Sequence, residues 1–395
     1  MEYNNQEMVR MMKIQEIITR AMSKQITWVE ASEIIGISYR SMKRWKAKYK
    51  EQGYDGLMDR RKGKPSPKRA SYTDTEKILT LYRDQYSGFN VVHFREKLIE
   101  NHDLKYSYTF VSKLLQTAGL ISSKKPRKIH RKRRDRRPMS GMMLHLDGSK
   151  HAWFGGKKLY DLLVLMDDAT SEIYEMELVD EESTISCMKV LKSCIQSKGI
   201  FCSLYSDRAS HFFFTPTSGG KVQQGHLTQI GRALNELNIQ MIPSYSPQAR
   251  GRSERMNQTI QGRLINELKL HQIKTLDQAN QFIRKTYIKD HNKRFKVKSR
   301  EVGSAFIPLS DEINLNRIFS IKEKRVVTLD NVVQYQNLHL QLLPTFIKTS
   351  FAKCQVVVHQ HLDLTISIVY GPHLIARFNT KGKHLSMNHY KRRIA

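Results

Sequence analysis

Apolar residues recur at three- and four-residue spacing through the first third of the chain. They then gather into short strand-length runs, and near the end they alternate in brief segments. From Met8 to about Tyr49 the spacing is helical, with Ile14, Ile17, Ile18 and Met22 on one face. Thr27 can cap a second helix, with Glu30 three residues later completing a capping box. That helix ends at Gly36. Ser38 then caps a third, Tyr-Arg-Ser-Met-Lys-Arg-Trp-Lys-Ala-Lys-Tyr. Helix, glycine turn and cationic helix together form a helix-turn-helix pattern. Tyr39, Arg40, Lys43 and Arg44 lie early on the last helix, where they can reach base edges or phosphates. The bland alternative is a three-helix bundle with a solvated basic face.

Gly53 to Pro67 reads as a Gly/Pro/basic linker. A second helical block runs from about Thr73 to Leu120, with Thr73 and Glu76 as its capping box. Helices opening at Asn90 and Ser107 suggest a second helix-turn-helix, against the alternative of a helical spacer. From residue 140 the pattern changes. Strands are expected at Met142 to Leu146, Leu159 to Met166, Glu172 to Val179, Phe201 to Ser206 and Ile239 to Ile242. Helices are expected over Glu181 to Ser197, His226 to Leu237, Ser253 to Leu270 and Thr275 to Asn292. Three strands followed by alternating helices and strands predict a mixed sheet flanked by helices. Beyond Ile321, five short segments separated by turn residues predict a small barrel of about five strands.

Charge sharpens this picture. The chain of 395 residues has 67 Lys+Arg against 37 Asp+Glu, a formal charge of +30. Residues 1–140 hold 32 basic and 15 acidic residues, so the front third carries +17 of that total. Such a balance calls for a polyanionic partner. Lys124 to Pro138 packs ten Lys/Arg into fifteen residues, a block suited to lying along phosphates. Its candidate contacts are Lys124, Lys125, Arg127, Lys128, Arg131, Lys132, Arg133 and Arg134. No apolar run approaches the roughly 18–20 residues of a membrane span, and the first residues lack a signal-peptide pattern, so no membrane partner is expected. Cys187, Cys194, Cys202 and Cys354 form no CxxC pair, which fits a reducing compartment and predicts no zinc. The expected location is the cytoplasm.

Against this basic background three acids stand in suggestive settings: Asp147 in Leu-His-Leu-Asp-Gly-Ser, Asp207 in Leu-Tyr-Ser-Asp-Arg, and Glu254 at a helix start. If the first two strands are neighbours, their acids sit side by side, and a helix packed over the sheet can bring Glu254 to the same point. Hard oxygen donors with open positions suit Mg²⁺ or Mn²⁺, and two such ions would activate a nucleophile and stabilise a leaving oxygen. Each acid alone is more often a turn residue or a helix cap. Asp161, Asp167 and Asp168 are read as such turn or surface acids. His211, Gln248, Arg250, Arg255 and, in the loop Phe212 to Gln224, Lys221 are further candidates to touch DNA.

The segment from Asp147 to Glu254 resembles the RNase H-like core of retroviral-type integrases and insertion-sequence transposases. The resemblance rests on Leu-Asp-Gly-Ser, Met-Asp-Asp-Ala-Thr, Ser-Asp-Arg-Ala-Ser-His-Phe and above all Ser-Tyr-Ser-Pro-Gln-Ala-Arg-Gly-Arg-Ser-Glu-Arg-Met-Asn. The whole chain looks most like bacterial ISNCY-type transposases, with a tail like the small β-barrel of Mu-type transposases. The resemblance implies a DDE triad of Asp147, Asp207 and Glu254 binding Mg²⁺ or Mn²⁺. It also implies double-stranded DNA as partner, both transposon ends and target, and a homo-oligomer of at least two copies on DNA. The 47-residue spacing from Asp207 to Glu254 exceeds the roughly 35 common in such relatives, and the excess falls in the Phe212 to Gln224 loop.

The expected architecture is a multidomain α+β chain. Residues 1–62 form a helix-turn-helix domain, 63–123 a second helical or winged-helix-like DNA-binding domain, and 124–139 a basic linker. Residues 140–310 form an RNase H-like α/β catalytic core with a mixed sheet, and 320–380 a small β-barrel. The expected activity is metal-dependent 3′-end cleavage and strand transfer. The alternatives are a catalytically silent DNA-binding regulator and an RNase H-like metal nuclease.

Overall fold

The computed structural model describes residues 5–58, 70–122, 135–217, 220–223, 225–245 and 251–385. The basic residues from Lys124 to Arg134, with Gln248 and Arg250, lie outside them. The chain forms two compact units, Met1–Glu76 and Lys77–Ala395.

In the first unit, helices α1 (Asn5–Met22), α2 (Trp28–Ile35) and α3 (Tyr39–Gln52) pack around Ile14, Ile17, Ile18, Ala31, Met42 and Leu57. The expected signals act as read. The Thr27 hydroxyl accepts from the Glu30 amide while Glu30 closes the box on the Thr27 amide. Gly36 ends α2 in the left-handed region at φ 76°, where a Cβ would be strained, and Ser38 caps α3.

Three helices follow: α4 (Tyr72–Asp84), α5 (Val91–His102) and α6 (Tyr108–Thr117). Asn90 and Ser107 cap the last two as expected. The first corrects the sequence reading. The cap is Ser71, whose hydroxyl accepts from the Asp74 amide, so Thr73 already lies inside the helix. Within the larger unit, α5 is held to the rest of the chain by an ion pair between Arg263 and Glu96 and by a hydrogen bond between His93 and Glu267.

The central sheet consists of β1 (Leu144–His151), β2 (Tyr160–Asp167), β3 (Ile173–Val179), β4 (Ser203–Ser206) and β5 (Gln240–Pro243), in the order β3-β2-β1-β4-β5. β2 is antiparallel to both β1 and β3. β4 and β5 are parallel to β1. Helices α7 (Thr184–Lys198) and α8 (Gln229–Glu236) cover one face, with Leu144, Leu146 and Leu204 pointing into their core. The other face is covered by α9 (Gly251–Leu270) and by α10 (Leu276–Phe282) with α11 (Ile288–Phe295). This is the mixed sheet flanked by helices that the pattern predicts.

The edge strand β3 is closed by side chains. Asn280 accepts from the Leu178 amide and donates to its carbonyl, at 2.7 and 2.8 Å. Asn292 does the same at Ile173, at 2.9 and 2.8 Å. Twelve residues apart, the two asparagines would diverge by about 120° on a regular α-helix. The π-helical turn Ile283–Tyr287 between α10 and α11 absorbs one residue and cuts that to about 20°. An exposed ladder edge, a standing invitation to foreign strands, is thereby occupied.

The tail departs from expectation. Among the described residues, six strands form rather than about five: β6 (Ile321–Val326), β7 (Val332–Tyr335), β8 (Leu338–Gln341), β9 (Gln355–Gln360), β10 (Ile366–Tyr370) and β11 (His373–Phe378). They do not close into a barrel. β11-β10-β9-β6 is an open sheet, and β7-β8 is a separate hairpin. The hairpin buries Val333, Tyr335 and Leu340 against Val356, Val358 and Ile368 of the sheet, so the core is satisfied face to face without closing the ladder. The tail is bound to α8: Gln229 exchanges two hydrogen bonds with the Lys322 backbone, and Arg232 donates to the Ser320 carbonyl.

Candidate active site

Asp147 lies within β1 rather than just beyond it, because the strand stays paired with β2 as far as His151. Its parity decides its surroundings. His145, Asp147 and Ser149 face α9, whereas Leu144, Leu146 and Gly148 face α7. Such a row of polar side chains on a covered strand face must find partners, and α9 supplies them in step. Ser253 meets His145 at 3.4 Å, Asn257 donates to Asp147 Oδ2 at 2.9 Å, and Gln261 donates to Ser149 Oγ at 2.8 Å. Four helical residues rise about 6 Å and two strand residues about 6.7 Å, so parallel elements keep this register over three contacts.

β4 continues the arrangement. The parallel pairing sets His145 against Tyr205, which carries Asp207, one residue past the strand, level with Asp147 on the neighbouring strand. Asp207 Oδ1 accepts from the Ala209 amide, which shapes the following turn. The helix then fixes the third acid. Arg252 reaches Asp168 at the end of β2, and Met256, Ile260 and Leu264 pack toward β2 and β3. With the 253–257–261 stripe above β1 and about 100° between successive residues, Glu254 emerges on the opposite flank, above β4. It is exposed at the first turn of α9. Asp147 and Asp207 are thus neighbours on adjacent strands, and the three carboxylates do not all lie within 4.8 Å of one another. The described residues that are so close form a different group, Glu182, Cys187 and His211.

The neighbouring acids are not surface acids. Asp167 and Asp168 are fully buried and Asp161 nearly so. Asp167 receives bonds from the Thr170 amide and hydroxyl and from the Gly141 amide; burial, the larger influence, raises its pKa. Asp168 binds His145, Arg252 and the Arg137 amide. Asp161 accepts from the Glu182 amide. These acids brace the turn around the sheet's end. Arg136, from the last residues of the basic block, docks on the Asp168 and Ala169 carbonyls.

Tyr39, Arg40, Lys43 and Arg44 all lie exposed on α3, with the Lys43 ammonium 4.9 Å from the Tyr39 ring centre. Lys221 and Arg255 are exposed. In the described part of the long loop, Phe212 and Phe213 are buried in the core, and Arg208 donates to the Gly220 carbonyl. His211 bonds Glu182 at 3.1 Å. Asn257, Gln261 and Glu182 escaped the sequence reading. Asn257 stands inside the Ser-Glu-Arg-Met-Asn block, and the only available signal was its place one turn after Glu254.

A helix-turn-helix domain family matches residues 15–66. The protein y4bF of Sinorhizobium fredii (strain NBRC 101917 / NGR234), whose name assigns it to the transposases, is 28% identical over 91% of this chain and 78% of its own. The transposase for insertion sequence IS1202 of Streptococcus pneumoniae is 27% identical over 77% of this chain and 72% of its own. Among solved structures, the HTLV-2 integrase catalytic core domain in complex with magnesium matches 41% of this chain and 93% of its own at 15% identity and TM-score 0.30. The simian T-cell lymphotropic virus intasome in complex with the PP2A regulatory subunit B56 gamma matches 79% of this chain and 99% of its own at 12% identity and TM-score 0.33. The chain thus carries a helix-turn-helix front and a mixed five-stranded sheet, and over most of its length it is similar to proteins named as transposases.

Proposed function

We propose that the protein binds the terminal repeats of its own insertion sequence, cuts their 3′ ends in a metal-dependent reaction and joins them to target DNA. The observation that supports this reading is the parallel pairing of β1 with β4 beneath α9, which sets Asp147 level with Asp207, with Glu254 in the first turn of the same helix that holds Asp147. The donor set fits the metal: three carboxylates with hard oxygens, without sulfur or imidazole among them. A divalent cation held by Asp147, Asp207 and Glu254 would supply activation of water or a 3′-hydroxyl and stabilisation of the leaving oxygen. Asn257 holds one oxygen of Asp147 in place, and Ala209 orients one oxygen of Asp207. Glu254, exposed at the start of its helix, is the acid with freedom to swing inward. Arg40, Lys43 and Arg44 provide cations for the duplex.

Two ends must be held together for joining, so the active species is at least a dimer on DNA. The decisive experiment is an end-cleavage and strand-transfer assay on the element's termini with Mg²⁺ or Mn²⁺, comparing the native chain with Asp207→Asn. Cleavage and joining by the native chain alone support the reading. Tight end binding with no metal-dependent cleavage by either protein would leave a DNA-binding regulator.

A further inference from the structure

We propose a second cation site, formed by Glu182, Cys187 and His211, that takes a thiophilic divalent ion of the Zn²⁺ class. The ligand atoms of these three side chains all lie within 4.8 Å of one another. Glu182 Oε1 is 3.1 Å from His211 Nε2 and 3.7 Å from Cys187 Sγ. Zinc bonds of about 2.0 Å to oxygen and nitrogen and 2.3 Å to sulfur, at tetrahedral angles, require separations of about 3.3 and 3.5 Å. These two separations therefore stand within a few tenths of an ångström of those in a zinc tetrahedron, and the third, from sulfur to imidazole, lies under 4.8 Å.

The surroundings hold it there. Glu182 directly precedes Ser183, the cap of α7, and Cys187 sits in that helix's first turn, so the two are locked by one capped helix end. The other carboxylate oxygen of Glu182 occupies the space left by Gly148, where a Cβ would come within 2.0 Å of it. His211 arrives on the turn that follows Asp207. The Glu182 and His211 side chains are about a fifth exposed, at 23% and 16%, which gives an ion an entry path and leaves the fourth corner to water. Carboxylate, thiolate and neutral imidazole balance the charge of a divalent ion, the thiol proton leaving to solvent as sulfur takes up the metal. Sulfur and imidazole separate this site from the all-oxygen triad and select against Mg²⁺. The bound ion ties the N-terminus of α7 to the loop after Asp207.

The test is a Co²⁺ titration of the full-length protein, read by the thiolate-to-cobalt charge-transfer band, with Zn²⁺ as competitor. One Co²⁺ per chain, displaced by Zn²⁺, is the expected result. The band should vanish in Cys187→Ser and require at least about tenfold more Co²⁺ in His211→Ala. It should persist in Asp147→Asn, in Asp207→Asn and in the double variant Cys202→Ser/Cys354→Ser. No charge-transfer band, or one that survives Cys187→Ser or is unmoved by His211→Ala, overturns the proposal. His211 is at the rim of the core, so its variant reports on the site even where Cys187→Ser impairs folding.

Discussion

At the scale of single residues, the acids are readable and their partners are not. Asp147, Asp207 and Glu254 stand in blocks whose composition marks them. The Asn257 amide that holds Asp147 lies 110 residues further along the chain, and no local pattern connects the two. Removing it tests the arrangement. Asn257→Ala should leave end binding intact and lower the cleavage rate about 10- to 100-fold, with a higher Mg²⁺ requirement, as loss of an orienting partner does at metal sites. Cleavage measured across a Mg²⁺ titration checks this; an unchanged rate at limiting Mg²⁺ would remove Asn257 from the site. The buried Asp167 and Asp168 teach the converse lesson. An acid beside a turn looks like surface chemistry in sequence, and only the fold reveals the His145, Arg252 and Gly141 partners that make burial tolerable.

At the scale of elements, capping residues and periodicity located the helices and strands of the core closely, because those signals are local. Boundaries failed where a longer-range partner decided them, as at β1, which runs on past Asp147 because β2 pairs with it. Helix α3 carries a prediction of its own. Lys43→Ala and Arg44→Ala should each weaken DNA binding and reduce the slope of log K against log salt by about 0.9 if each contacts one phosphate. Fluorescence anisotropy over a salt series measures that slope. The covered edge of β3 carries another. Asn280→Leu leaves the Leu178 amide and carbonyl buried without their partners and should cost about 1–3 kcal/mol for each unsatisfied group, read as a lower urea midpoint. A midpoint unchanged from the native protein would show that the edge needs no cover.

At the scale of the whole molecule, the junction of α5 with α9 and α11 is a buried titrating cluster. Burial of the His291 ring holds its pKa at about 4, below its usual 6.5. For Glu267 burial works to raise the pKa, yet hydrogen bonds from His93 and Lys97 prevail and hold it at about 2, below its usual 4.5. Between pH 6.5 and 4 the unfolded chain binds a proton at residue 291 that the folded chain refuses, so stability falls with pH there. Between 4.5 and 2 the same holds at Glu267. The urea midpoint should therefore drop in two stages on acidification, and His291→Gln should flatten the upper stage. A midpoint independent of pH from 7 to 4 would contradict this.

The sequence alone determined the helix-turn-helix front, the order of strands and helices in the core, and three acids in their settings. These depend on local periodicity, capping and short motifs, which a linear chain displays in full. The tertiary structure alone decided what those pieces meet. It placed β4 beside β1, set α9 in register over the polar face of β1, closed the β3 edge with two asparagines and a π turn, and left the tail an open sheet with a hairpin. Each of these is a contact between distant segments, fixed by packing and hydrogen-bond satisfaction after the chain has folded, and for that reason invisible in any window of its sequence.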